Sequence, residues 1–314
     1  MPQITKYNHT DFSHDEILEL KGNRKIYVVF STFSEREADL VASKIELLKT
    51  LPAGIIDRFI LNHRRAGIEQ DSTELTVAAK APETEIVISN DFAVPGMGSE
   101  KGKGADMRRT LYHINRTFDG NRSDAIVIFL DADVLPGYFG THFVTGLTGA
   151  LLRGAEFAKA GFWRQMGRVK KFVAQPLFSV IRHPVLDGLS EFSYPLAGEC
   201  AGTLEFFNSV SFMQIYGVET SILIDGLLDA HLMADVNLGL YDHEHHTDKN
   251  IQKMCFGIMR TYILALKERG LLEFKNGAGI SDLFRAEYIE QSGDRVVINE
   301  NLAEIRYRPL KEIL

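Results

Sequence analysis

Cysteine is almost missing from this chain: two residues, Cys200 and Cys255, in 314. So few, and so far apart, they exclude a disulfide framework and a cysteine metal site, and they suit a reducing cytoplasm. No apolar run approaches the roughly 18 residues that a spanning helix needs, which excludes such a helix, and no membrane partner is expected. The opening stretch, MPQITKYNHTDFSHDE, is polar and has no signal-peptide core. Internal repeats are absent. So are Gly-x-Gly-x-x-Gly and Gly-Lys-[Ser/Thr], so neither a dinucleotide fold nor a P-loop is supported. Positive charge is scarce: 35 Lys and Arg against 42 Asp and Glu give a net charge of −7, which argues against nucleic acid as a partner.

What is present centres on residues 125–134, AIVIFLDADV. Six apolar residues rich in Ile and Val read as a fully buried strand, too short for a helix. The run ends in Asp131-Ala-Asp133, two carboxylates at the carboxyl end of the strand, where open α/β sheets bind ligands. An unpaired buried charge is too costly to keep, so these carboxylates must be solvated, paired or bound to a cation.

Around this strand the pattern predicts further strands at 25–30, 55–61, 85–89 and 234–240. Helices are expected at 34–51 with Ser34 as N-cap, 105–117, 141–152, 220–232 and 247–270. Residues 1–24 read as a loosely attached arm with a short helix near 15–20, and 63–72 as an irregular rim loop. The glycine-rich stretch 95–105 carries two lysines and could set backbone N–H groups and a Lys against phosphate or ribose.

Two more features invite chemistry. Between 153 and 182 the charge inverts: Arg153, Lys159, Arg164, Arg168, Lys170, Lys171 and Arg182 face one acid, Glu156. Such a basic island would steer an anionic substrate. After the 234–240 strand comes Tyr241-Asp-His-Glu-His-His246, where His243 and His245 alternate along an extended chain and share a direction. A histidine at one strand end and an Asp pair at another suit a mixed oxygen and nitrogen site for Mg2+ or Mn2+.

Gly102-Lys-Gly104, Asp131-Ala-Asp133, Gly167-Arg-Val169, Pro195-Leu-Ala-Gly-Glu199, Tyr216-Gly-Val-Glu219 and Asn237-Leu-Gly-Leu-Tyr-Asp-His243 follow in an order far more specific than a bare Asp-x-Asp. On these motifs, across most of 25–270, the chain resembles the retaining GT-A glycosyltransferases that make glucosyl-3-phosphoglycerate or mannosyl-3-phosphoglycerate. The resemblance implies an α/β fold: a GT-A type Rossmann-like nucleotide-binding sheet with helices on both faces and a smaller C-terminal acceptor-binding part. It divides the chain into an arm (1–24), a nucleotide-sugar-binding half (25–140), an acceptor-binding and metal-completing half (141–270) and a tail (271–314) through which a homodimer would form.

It further implies transfer of a hexose, glucose before mannose, from a nucleotide sugar to 3-phosphoglycerate. UDP-glucose is the first expectation for the donor, with GDP- or ADP-sugars behind it. Asp133 and His243 would hold the divalent cation. Asp131 and Glu219 would be catalytic and touch the donor, whose pocket Ser31, Glu35, Asn62 and Lys103 would complete. Gly167, Arg168, Lys170 and His245 would take the acceptor, the planar fork of Arg168 pairing with its phosphate. Transfer would be front-face, the acceptor hydroxyl attacking on the side the diphosphate leaves.

The chain also departs from the family. Lys170 and His245 stand where Thr and Asn are usual, Ser31 where Pro is usual, and Asn62-His63 where a strand usually ends in an Asp-Ser-type pair. Three other readings remain open. One is a transferase of this fold using another small anionic acceptor such as glycerate, and another is a metal-dependent nucleotide-sugar hydrolase built on His243, His245 and the Asp pair. The third is a silent nucleotide-sugar-binding protein.

Overall fold

Strands that are apolar throughout need cover on both faces, and the chain supplies it by alternating strand with helix. A computed structural model of the chain describes residues 4–164, 167–242, 248–289 and 291–314. The first half runs β1 (Thr5–Asn8), α1 (His14–Lys21), β2 (Lys25–Phe33), α2 (Ala38–Leu48), β3 (Arg58–Arg64), α3 (Ser72–Lys80), β4 (Glu85–Ile88), α4 (Lys103–Thr117) and β5 (Ala125–Asp131). The second runs α5 (His142–Leu152), β6 (Phe157–Trp163), α6 (Gln175–Val180), β7 (Cys200–Thr203), α7 (Leu204–Ser209), β8 (Phe212–Met213), α8 (Val218–Leu228), β9 (Met233–Leu240) and α9 (Asp248–Glu268). A hairpin of β10 (Leu283–Ile289) and β11 (Arg295–Asn301) follows, then β12 (Arg306–Tyr307).

Among the described residues eight strands form one sheet, ordered β1-β9-β6-β7-β5-β2-β3-β4. Only β7 is antiparallel to its neighbours, β5 and β6. In β5, Ile126, Ile128 and Leu130 join the layer of α2 and α5, while Val127 and Phe129 join that of α4, α7 and α8. Each such burial contributes about 1.5–3 kcal/mol. A carboxylate inside that run would cost more than a neighbour returns, so the first acid comes where the strand leaves the core.

Several boundaries differ from expectation. Residues 5–8 are no loose arm: they pair in parallel with β9, Thr5 opposite Ala234 and Asn8 opposite Asn237. Ser34 is no N-cap. It takes a left-handed φ of 59° and opens a short 3-10 turn, Ser34–Glu37, before α2. The strand expected at 55–61 is shifted to 58–64, so Asn62 and His63 lie inside it, almost fully buried. The expected rim loop is present but shorter, at 65–71, and leads into α3, whose N-terminus is closed by a reciprocal capping box between Asp71 and Glu74. The basic island contains β6, with Lys159 buried at its centre. No helix among the described residues is long and apolar enough to cross a membrane.

Candidate active site

The register of the sheet sets the first contact. Ser31, two residues before the end of β2, lies directly opposite Asp131 at the end of β5. The glycine-rich stretch arrives at the same point because α4 begins at Lys103, two residues earlier than expected. Lys103 donates to Asp131 Oδ1 at 2.6 Å, and its Nζ lies 3.2 Å from Oε1 of Glu219 in the first turn of α8. Flanked by two carboxylates, the Lys103 ammonium is held well above its ordinary range despite burial.

Two glycines make this approach possible. A Cβ on Gly198 would fall 1.9 Å from Asp131 Oδ2 and 2.2 Å from Lys103 Nζ. One on Gly104 would fall 1.8 Å from the Met213 carbonyl, so α4 could not start where it does.

The cleft above these groups has a volume of about 370 Å3, within the usual range for small-molecule sites. Ser31, Lys103, Asp131, Asp133 and Glu219 line its sheet side, and Arg164, Gly167, Arg168 and Lys170 line another part. Ile251, Met254 and Ile258 of α9 form an apolar wall. The Lys170 ammonium sits 4.9 Å from the centre of the Tyr194 ring, and burial pulls its pKa down. The basic island is therefore split. Arg153 pairs with Glu16 at 2.8 Å, and Lys159 donates to the Ala197 carbonyl, while Arg164, Arg168 and Lys170 face the cleft.

Not every expected residue arrives. Asn62 is spent inside the fold, donating to the Asp106 carbonyl at 2.6 Å and accepting from Ser89. Glu35 is exposed on the 3-10 turn, and the residue that reaches the cleft from that turn is Glu37. The loop before α4 turns its carbonyls to buried arginines: Arg64 and Arg109 both bond the Glu100 carbonyl, and Arg109 also bonds that of Gly98. His243 and His245 lie outside the described residues.

Three groups were given no role by the sequence. Burial, reinforced by Asp133 and Asp131, pushes Glu37 up to about 7. Burial brings the Lys44 ammonium down to about 8, and it donates to the Ala132 carbonyl between the two aspartates. Glu199 is fully buried, accepts from the Tyr241 hydroxyl at 3.0 Å and is pushed up to about 8, first by burial and then by Asp131. Glu199 closes one of the quoted motifs, yet nothing in its neighbours signals burial. Among the described residues another grouping, His63, Asp71 and Glu74, has donor atoms close enough for a cation. Its carboxylates are already committed, Glu74 to Arg65 through both oxygens and Asp71 to the α3 cap.

Glu199 makes a pH prediction. Its native carboxyl keeps its proton to about pH 8, whereas an unfolded one releases it near 4.5. Native protein then binds the extra proton, so in the metal-free protein this group erodes stability as pH rises from about 4.5 to 8. Glu199→Gln should flatten that slope and raise the melting temperature at pH 8 relative to the parent, with little change at pH 4. Glu37 leaves a residual slope of the same sign. Parallel melting curves for both proteins across this range would show Glu199 to be ionised in the native state.

No family model matches the chain. A glucosyl-3-phosphoglycerate synthase of Mycolicibacterium paratuberculosis is 30% identical over 275 residues, 82% of this chain and 77% of that protein. The crystal structure of mannosyl-3-phosphoglycerate synthase from Rubrobacter xylanophilus matches with a TM-score of 0.82 at 26% identity, over 99% of this chain and 96% of that one. The glucosyl-3-phosphoglycerate synthase from Mycobacterium tuberculosis, in complex with Mn2+, UDP-glucose and phosphoglyceric acid, gives 0.77 at 25% identity over 100% of both chains. Sheet, Asp pair and cleft together are those of a glycosyltransferase of the GT-A type. Within that class the chain belongs to the glucosyl-3-phosphoglycerate synthase family.

Proposed function

We infer that the chain transfers a hexose, glucose in the first instance, from UDP-glucose to 3-phosphoglycerate with the help of a divalent cation. The observation that carries this is the make-up of one cleft, with carboxylates at and beyond the carboxyl end of β5 and the cations of Arg164, Arg168 and Lys170 in its lining. The Mycobacterium tuberculosis relative is in complex with Mn2+ and both substrates of such a reaction. In this reading 25–140 serve the donor and 141–270 the acceptor.

Oxygen donors at and beyond the carboxyl end of β5 fit a hard cation; Asp133 would hold it, with His243 as its partner. When bound, Mg2+ or Mn2+ would act as a Lewis acid on the charge developing at the departing diphosphate. Asp131 and Glu219, aligned by Lys103, would grip the donor sugar. Gly167, Arg168 and Lys170, joined by His245, would orient the acceptor. Its hydroxyl oxygen would bond to the sugar C1 as the C1–O bond to the diphosphate breaks, on the same face, with the hydroxyl proton passing to the leaving diphosphate. Asp131 and Glu219 are both engaged by Lys103, which supports transfer without a covalent sugar–enzyme intermediate. The unpaired Cys200 and Cys255 support a cytoplasmic setting. Exposed Ile289 and Val297 on the β10–β11 hairpin support pairing of two copies through 271–314.

The test is direct. With Mg2+ or Mn2+, the protein should release UDP from UDP-glucose and form a glucosylated acid only when 3-phosphoglycerate is present. Equal UDP release without any acceptor would make it a hydrolase. No release from any nucleotide sugar would end the transferase reading.

A further inference from the structure

The C-terminal tail carries a carboxylate with an unusual set of partners. Glu304 is 8% exposed and accepts three consecutive backbone N–H groups, from Ile215 at 3.0 Å, Tyr216 at 3.1 Å and Gly217 at 3.3 Å. These residues form the turn that leads into α8, and Gly217 is the cap of that helix. The N–H groups of such a turn have no helical partner of their own, and a negative charge there is favoured by the helix dipole. Ile215 and Tyr216 line the cleft, and Glu219 projects from the first turn beyond them.

The tail is fastened on either side of Glu304. Ile305 exchanges two hydrogen bonds with Gln214, at 2.9 and 3.2 Å. Arg306 pairs with the buried Asp225 of α8 at 3.0 Å. From the other side α9 closes on the same turn: a Cβ on Gly257 would lie 2.9 Å from Glu304 Oε1 and from Tyr216 Cβ.

We propose that Glu304 is a positioning residue for donor transfer, fixing the 215–217 turn and through it the distance at which Glu219 meets Lys103. The proposal rests on the reading that Glu219 faces the donor sugar. It gives the tail a role in catalysis at a distance, through backbone rather than through substrate.

Glu304→Gln keeps the size of the side chain but replaces one acceptor oxygen with an N–H2 that cannot accept. Misplacing Glu219 should lower kcat per folded molecule by about 10- to 100-fold. The Kd for UDP with Mg2+ and the KM for 3-phosphoglycerate should stay unchanged, because neither needs Glu219. Gly257→Ala crowds the same carboxylate from α9 and should act in the same direction, which covers the case of a poorly folding Glu304→Gln. On a Glu219→Ala background, Glu304→Gln should cost no further kcat, since residues acting through one group are not additive. Parental kcat in both single variants would overturn the proposal, and so would the same fold-loss repeated on the Glu219→Ala background, which a merely structural role predicts. Full activity of Glu219→Ala alone, with Glu304 intact, is a separate failure: it would remove the donor-site reading and this proposal with it.

Discussion

Asp133→Ala should lower kcat by about 10²- to 10³-fold or more and leave the residue of activity insensitive to Mg2+ or Mn2+, the loss expected when stabilisation of a developing charge is removed. Asp133 stands just beyond the last residue of β5, where the chain has left the core, so the substitution should leave the fold intact. The neighbouring Asp131 cannot stand in for it, because its carboxylate is drawn to Lys103 at 2.6 Å. Metal-titrated initial rates and a melting curve measure both halves of the claim. Full activity, or unchanged metal dependence at any activity, would remove Asp133 from the cation.

Arg168→Ala should raise the KM for 3-phosphoglycerate by about 10- to 100-fold, since a charge-assisted hydrogen bond is worth about 1.5–3 kcal/mol and each 1.4 kcal/mol is tenfold. The KM for the nucleotide sugar should hardly move, because Lys103, Asp131 and Glu219 make up the sheet side of the cleft. Lys170 lines the same cleft and should keep the loss from being total. Equal rises in both KM values would mean that the acceptor binds elsewhere.

The legible parts of this molecule share one physical trait. β5 could be read because a strand buried on both faces must be apolar at every position, and its first carboxylates then mark the exit from the core. Lys103 and Glu219 were found through motifs that keep their spacing at element starts. The basic island was only half legible: charge in sequence says nothing of direction, and Lys159 proved buried in β6 while Arg153 pairs across to Glu16. Glu35 and Asn62 were misplaced for a related reason. A left-handed turn at Ser34 presents Glu37 instead, and a shift of β3 buries Asn62 against Asp106 and Ser89.

The sequence by itself determined the sheet, its apolar strands and the acids at their ends, because those follow from local pattern and from the cost of burying charge. Only the tertiary structure decided which charges meet. The pairing of β1 with β9, the buried Glu199 held by Tyr241, and Glu304 bonded to a turn 87 residues before it all depend on distant segments closing on one another. Burial and pKa are properties of that closure, and no window of neighbouring residues contains them.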